Sequence, residues 1–472
     1  LEPAAETKSL LEISVREGFE TRRHGTGAIV VGVDVSGWFY ACQGVFAGRG
    51  HSHAQAGQNP ELRTLFFRLA WLSRSAVSAV FVFDGPGRPK EKRNKAVQSM
   101  PHWMTKSFQE LVTAFGFYSH TAPGEAEAEL AYLNKIQAID VILTNDSDVF
   151  LFGATQVIRS PHDSSDLDSV VVYTAEAISL QSSQVFSIEG FLSLALFGGG
   201  DYNTSGLQGC GRAIATALAS SPLALSLFNA GMSLAGEDLS AFLEEWRNAL
   251  RDELLNDPSG RIGRKYPNLA SNIPNTFPDP KILQLYCHPL TSQMSGGLNR
   301  AASLWLVPGL PCTSTLARLC NRLFGWGPNI LGRFVNNLWD GYIIRQLVRA
   351  STPSLTSEPL PIRYIRKVEY RSKSQSSFPS YRVEFWIPSL ATQAITAVTE
   401  DGVPATEIQA CGSTTSMVVW VPAPILKATE DVRVQGFHLS HAVPFVVPNL
   451  YSQVSVELFS SLYTGFTLNA GP

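Results

Sequence analysis

Two carboxylate clusters, Glu125/Glu127/Glu129 in GEAEAE and Asp146/Asp148 in TNDSD, fall within residues 121–152. Between them the pattern is helix, then strand. Pro123-Gly124 marks a helix start, and Leu130, Leu133 and Ile136 or Gln137 continue at roughly helical spacing. Ile139 to Leu143 (IDVIL) is a short apolar run of the kind that forms a buried parallel strand. The second cluster therefore sits just past the carboxyl end of a strand, where open α/β sheets place their ligands. Along an extended chain, Asp146 and Asp148 point to one side. Acids this crowded repel one another unless a cation lies between them. Oxygen donors without Cys or His suit Mg²⁺ or Mn²⁺ rather than zinc.

The same design occurs twice upstream. AIVVGVDVS reads as a buried strand with Asp34 at its carboxyl end, and AVFVFDG as a second ending in Asp84. A carboxylate at the end of an apolar strand is costly unless paired or metal-bound; Asp34 could equally cap the helix that starts near Ser36. Residues 1–27 read as a helical start and a Gly-containing turn, and Glu61 to Arg74 as an amphipathic helix. The segment after Asp84 carries Arg88, Lys90, Lys92, Arg93, Lys95 and Lys106, either a solvated basic helix or a phosphate-holding element beside the acids. Trp38, Phe39 and Tyr40 are core aromatics or an edge on which a base pair stacks. His51 and His53 lie in a Gly-rich loop and read as loop residues, not ligands.

Further on, VVVY (170–173) is strand-like, and Asp201 follows three glycines. Ser205 to Gly211 (SGLQGCG) resembles a helix–hairpin–helix (H2TH) connection, with Ser205, Gly209, Gly211 and Arg212 placed to meet a DNA phosphate. Residues 221–350 read mainly as helices, with Arg264 and Lys265 beside Arg261 as a second basic cluster. Residues 351–361 read as a linker, and beyond them alternating strands (IRYIRKVEY, YRVEFWIP, SMVVWVPAPIL) form a small β domain.

Net charge is −3, but seven candidate metal-ligating acids (Asp34, Asp84, Glu125, Glu127, Asp146, Asp148 and Asp201) carry −7, so the remainder is +4. Whole-chain charge thus does not argue against a nucleic-acid partner. The six cysteines are scattered with no CxxC, which argues against a zinc site or a disulfide framework and fits a reducing compartment. No apolar run approaches membrane-spanning length.

Asp34, Asp84, Glu125, Glu127, Asp146, Asp148 and Asp201, in VDVS, VFDG, GEAEAE, TNDSD and GGGDYNTSGLQGCG, resemble the flap-endonuclease/XPG superfamily of structure-selective nucleases over about residues 28–350. GEAEAELAYLN and TNDSD look most like its Gen/Yen group of Holliday-junction resolvases. The resemblance implies an α/β, PIN-like nuclease core with a mostly parallel sheet flanked by helices, a helix–hairpin–helix region, and a small β-rich chromodomain-like C-terminal domain. The implied division is 1–200 nuclease core, 201–350 helical DNA-binding region, 351–361 linker and 362–472 β domain and tail. It implies two Mg²⁺ ions, replaceable by Mn²⁺, one among Asp34, Asp84, Glu125 and Glu127 and the other among Asp146, Asp148 and Asp201, with K⁺ at the helix–hairpin–helix.

The implied activity is two-metal hydrolysis that resolves four-way junctions by paired nicks in the nucleus. A 5′ flap is a second substrate, and the enzyme is a monomer in solution and a homodimer on the junction. The alternatives are a monomeric flap or bubble nuclease and a junction-binding module without catalysis. A regular helix puts Glu125 with Glu129 on one face, whereas the resemblance selects Glu125 with Glu127; Glu129 stays in reserve. The superfamily's Met-Gly-Ile opening has no counterpart in LEPAAE. The basic segment after Asp84 is short for an arch that threads a free 5′ end. In the β domain, Tyr370, Trp386 and Trp420 are candidate cage residues for methyl-lysine, and a DNA contact is the favoured role.

Overall fold

The structure is a computed structural model that describes residues 1–47, 57–97, 100–160, 168–181, 186–295, 301–352, 361–369, 378–409 and 416–440. His51, His53 and Tyr370 lie outside the described residues, as does most of the linker segment. A seven-stranded sheet organises the first half of the chain. Its strands are β1 (Glu6–Ser9), β2 (Ile29–Asp34), β3 (Val77–Phe83), β6 (Tyr118–Thr121), β7 (Val141–Leu143), β8 (Gln156–Arg159) and β9 (Ser169–Thr174), in the order β1-β9-β8-β7-β2-β3-β6. β4 (Glu91–Lys92) and β5 (Lys95–Ala96) form a separate hairpin. The five central strands are parallel, and β9 and β1 close one side antiparallel.

β2 and β3 are buried along their whole length because helices cover both faces, which explains why they read as continuous apolar runs rather than alternations. All the parallel strands end on one edge, so the acids line it in the spatial order Asp146/Asp148, Asp34, Asp84, Glu125/Glu127. Gly85 lets the chain leave that edge: a Cβ there would lie 1.7 Å from the Ala122 carbonyl oxygen.

A short helical turn at Glu2–Ala4 and the edge strand β1, paired with β9, precede the expected helical start, which stands at Leu10–Ile13 and runs into a wider-wound turn.

Lys106 lies on the helix Thr105–Ala114, but from Asp84 to Val97 the basic segment is not a helix. It turns through Arg93 and Asn94, both at positive φ (53° and 57°), in the two-residue turn that matches strand twist.

The helices form two layers rather than one. One core gathers Leu151 with the helices Ile188–Gly198, Arg212–Ala219, Pro222–Ser233, Gly236–Asn256 and Pro280–Cys287. The helices Thr313–Phe324 and Trp339–Ala350 join the sheet's own core instead, through Phe66, Phe115, Phe324 and Trp326. Arg345 is buried there, donating to the carbonyls of Phe115 (2.7 Å) and Gly309 (3.0 Å) and lying over the Phe117 ring.

The last region is an antiparallel sheet of β10 (Ile362–Glu369), β11 (Ser380–Trp386) and β12 (Ser416–Pro422), with a helix at Pro388–Glu400. Its inner residues Tyr381, Val383, Phe385, Val419 and Val421 belong to the same apolar core as the seven-stranded sheet. Burying each such side chain contributes about 1.5–3 kcal/mol. No single described helix is long and apolar enough to cross a membrane. The five described cysteines are free thiols.

Candidate active site

Asp34 is the last residue of β2 and does two things at once. Its Oδ1 accepts from the Ser36 N–H (2.9 Å), capping the helix Val35–Ala47, while Oδ2 accepts from Thr144 Oγ1 (3.1 Å) and faces the acid edge. Asp84 accepts from Ser36 Oγ (2.9 Å), from the Ala126 N–H at the start of the next helix (3.0 Å) and from Arg88 (3.2 Å).

The conflict over the glutamates is resolved by the helix start. Glu125 is the N-cap, with extended backbone (φ −84°, ψ 141°), and the helix runs Ala126–Lys135. The 100° step applies only from Ala126 on, so Glu125 and Glu127 reach the same cluster. Glu129 turns the other way: it is fully buried, paired with His120 (2.8 Å) and accepting from the Ser292 N–H (2.8 Å). Asp146 and Asp148 do not alternate along an extended strand. Asp148 opens the short helix Asp148–Leu151, and its N–H donates to Asp146 Oδ1 (3.0 Å), so a turn rather than a pleat sets them together.

Lys92 was expected to face substrate phosphates. Its ammonium instead lies among the acids, 2.8 Å from Glu125, 3.4 Å from Glu127 and 2.8 Å from Asp201. Arg93 binds Asp201 (2.5 Å), and Asn94 bonds Thr204 (3.0 Å), tying the hairpin to the glycine-rich loop. In that loop Gly206 has φ +57°, and a Cβ would lie 2.4 Å from the Phe197 carbonyl oxygen, so the close approach requires glycine. Ser205, Gly209, Gly211 and Arg212 are exposed around it. Tyr40 is exposed on the helix capped by Asp34, and Lys90 is exposed ahead of the hairpin. Arg264 and Lys265 are exposed beyond the helix Gly236–Asn256, with Arg264 over the Tyr266 ring; they do not join the cluster.

Electrostatics tie the acids together. Burial, then Asp84, raises the Asp34 carboxyl to about 6; burial, then Asp146 and Asp201, raises Asp148 to about 6. Burial pushes Glu127 well up, against the pull of Lys92 and with a push from Asp34, Glu125 and Asp146. Burial also acts to raise Asp201, but the hydrogen bonds from Lys92 and Arg93 hold it below its ordinary value. Burial acts to lower the Lys92 ammonium, yet Glu127, Glu125 and Asp201 together hold it above its ordinary value. The cluster thus holds more negative charge than the hairpin neutralises.

Sequence reasoning missed Ser36 and Thr144, which orient the first acids, and Tyr202, whose hydroxyl donates to Glu125. Ser36 and Tyr202 each adjoin or nearly adjoin a predicted acid in sequence, which was the available signal. Arg159 was missed too; it ties Ser147, between the two aspartates of the turn, at 3.1 Å.

Among the described residues no three acid, imidazole or thiol groups converge on one point as a closed metal cage. Three observations nonetheless fit a divalent cation. The donors are all oxygens. A cation, the Lys92 ammonium, already stands where one is needed. And Asp201 Oδ2 is buried with that same ammonium, 2.8 Å away, as its counter-charge.

Residues 116–201 match the family profile described as the XPG I-region. The human Flap endonuclease GEN homolog 1 is 32% identical over 204 residues, 39% of this chain and 22% of that protein. The DNA repair protein RAD2 of Saccharomyces cerevisiae is 38% identical over 124 residues, 26% of this chain and 11% of that one. The matched stretch thus spans about a fifth or less of these curated relatives. Among solved structures, the Holliday junction-resolving enzyme GEN1 in complex with product DNA and a Mg²⁺ ion superposes with TM-score 0.69 at 25% identity, over 93% of this chain and 98% of that one. The eukaryotic junction-resolving enzyme GEN-1 binding potassium shares the fold with TM-score 0.70 at 24% identity, over 93% and 98%.

Proposed function

We propose that this chain, whose residues 116–201 match the XPG I-region profile, is a member of the flap-endonuclease/XPG superfamily: a Mg²⁺-dependent, structure-selective DNA endonuclease of the Gen/Yen type that resolves four-way junctions. The observation that carries this reading is the line of six carboxylates along the C-terminal edge of one parallel sheet, joined by Asp201 through Lys92, whose ammonium is the resident cation. We assign Asp34, Asp84, Glu125 and Glu127 to one ion and Asp146, Asp148 and Asp201 to the other. Mn²⁺ is an acceptable substitute for Mg²⁺, and the glycine-rich loop is the place for K⁺.

The seven carboxylates would hold two divalent ions, which would supply an activated water and charge stabilisation for the departing 3′-oxygen of a phosphodiester. The chain's own residues prepare the site. Ser36, Thr144 and Tyr202 hold Asp34, Asp84 and Glu125 in fixed rotamers, so that little reorganisation accompanies reaction. Lys92 and Arg93, once released from the acids, carry positive charge on a hairpin at the site's edge, where a backbone phosphate must lie. The exposed residues Ser205, Gly209, Gly211 and Arg212 of the glycine-rich loop would face a second stretch of backbone.

The hairpin favours a junction over a threaded flap. Among the described residues between Asp84 and Thr105 it is the only regular structure, too small to enclose a free end. We assign 1–200 to the nuclease core, 201–350 to DNA-backbone binding and 362–472 to a brace on a DNA arm, with a homodimer on the junction and the nucleus as the site of action, in DNA recombination and repair. The brace rests on the outer face of the small sheet. There Arg363, Arg366, Lys367 and Arg382 accompany Tyr364 and Trp386. Trp386 and Trp420 stand four register positions apart on that face, about 13 Å along the strands, too far for one cage. Charge reversal at Lys367 and Arg382 would flatten the salt dependence of junction binding by about one unit per lost phosphate contact; an unchanged slope removes the brace.

The deciding experiment is an end-labelled immobile four-way junction beside a 5′ flap, in Mg²⁺ and then EDTA. Symmetric paired nicks within one complex lifetime support the resolvase. Efficient flap cutting with single, uncoordinated junction nicks transfers the assignment to a flap nuclease with the same metals. Binding without cleavage of either leaves a junction-binding module.

A further inference from the structure

A cavity of about 320 Å³ opens beside the acid edge and shares Asp84 and Arg88 with it. Its volume is at the low end of the roughly 300–1,000 Å³ typical of small-molecule sites. That gives room for one flat ring system with its sugar, not for a length of duplex.

The walls suit a base. Phe39 and His102 stand with ring centroids 5.1 Å apart on one side. The helix Thr105–Ala114 also lines the cavity, with Thr105 and Gln109 one turn apart, so that a hydroxyl and an amide border the same space. Gln43 lies 3.0 Å from His102 Nε2, and the Met104 N–H donates to Nδ1 (3.3 Å), so the imidazole is fixed in orientation. Burial lowers the His102 pKa, which keeps the ring neutral near pH 7. Tyr40 and Trp103, next in sequence to the lining residues Phe39 and His102, are 81% and 58% exposed. The Asp84 carboxylate at the mouth disfavours a phosphate inside and leaves the backbone outside, toward Arg88.

We propose that this cavity takes a single unstacked nucleobase adjacent to the cleavage point and reads its edge through Gln109 and Thr105, giving the enzyme a base preference at that position. This rests on the nuclease reading above. It deepens that reading by naming the part of the substrate that sets where the strand is cut.

The test uses the full chain and two variants outside the acid cluster, Gln109→Ala and Gln109→Trp. Junction affinity is measured first, in Ca²⁺ so that the DNA stays intact. A set of junctions then carries 2-aminopurine at each nucleotide flanking the cleavage point, and a second set carries each of the four bases there. The expected result is a fluorescence rise at one flanking nucleotide on binding, and cleavage rates that spread about tenfold across the four bases. Gln109→Trp should abolish the rise, and Gln109→Ala should compress the spread while leaving the rise, with junction affinity kept in both. Overturning outcomes are a rise and spread identical in all three proteins, or no rise and no spread in the unaltered chain although it binds and cuts. A chain that binds no branched DNA would instead fail at the affinity step and take the nuclease reading down with it.

Discussion

Two parts of this molecule bury carboxylates against cations, and they do so in opposite proportions. On the outer face of the small sheet, Glu384 is clamped by Arg363 (2.9 Å) and Arg366 (2.5 Å), two cations to one acid. At the nuclease edge seven acids meet Lys92, Arg93 and Arg88. The small sheet's arrangement is closed on itself: the hydrogen bond from Arg366 outweighs burial and brings the Glu384 carboxyl down to about 2. The nuclease edge is left in deficit, with Asp34 and Asp148 raised to about 6. The ion pair of the small sheet satisfies its own charges, whereas the acid edge keeps an excess that an added cation would relieve, as the proposed metal site requires.

The largest expected effect tests the cluster's chemistry. Asp146→Asn should lower junction cleavage by more than about 100-fold, beyond the loss typical of groups that merely support a metal ligand. Gel-shift affinity for the junction should stay within about threefold, since base and phosphate contacts are elsewhere. Cleavage at the unaltered rate would remove Asp146 from the site.

Next comes the deficit itself. Lys92→Met should destabilise the chain by about 2–3 kcal/mol, less than the roughly 3–5 kcal/mol of a fully buried broken pair because a quarter of the Lys92 side chain is exposed. Mg²⁺ at about 100 times its Kd should restore about 2.7 kcal/mol by mass action, read as a rise in Tm. A variant melting like the unaltered chain, or one whose Tm ignores Mg²⁺, would mean that the acids do not seek a cation.

The smallest effect belongs to the satisfied pair. Glu384 has a carboxyl held below its ordinary 4.5, so its stabilising contribution is present above about 4.5 and is lost as pH falls toward about 2. The Tm gap between the unaltered chain and Glu384→Gln should therefore be widest near neutrality and close across that window. It should not respond to Mg²⁺ at any pH. A gap that widened on acidification would reverse the sign and break the contrast with the nuclease edge.

Much of the site was legible before any coordinates. An acid just beyond a continuous apolar run has few places to be in a parallel sheet, so Asp34, Asp84 and Asp146 could be placed at one edge from pattern alone. The small β domain was readable for the same reason, since its strands alternate in sequence. β1, β6 and β8 were not. Each is only four residues long, too short for periodicity to distinguish from loop. The helix Pro388–Glu400 also went unforeseen, although Pro at its first position was a usable start signal.

What local sequence determined was which residues are acids at strand ends, and their order along the edge follows from strand order. What the tertiary structure decided was which of them meet. Glu125 joins Glu127 because the helix begins one residue later than periodicity suggests, and Glu129 leaves because His120 and Ser292 claim it from other elements. Lys92 reaches Asp201, more than a hundred residues away, only because the hairpin and the glycine-rich loop fold over the same edge. Period and composition act over one or two turns of chain. Charge acts through space, and the space is made by the fold.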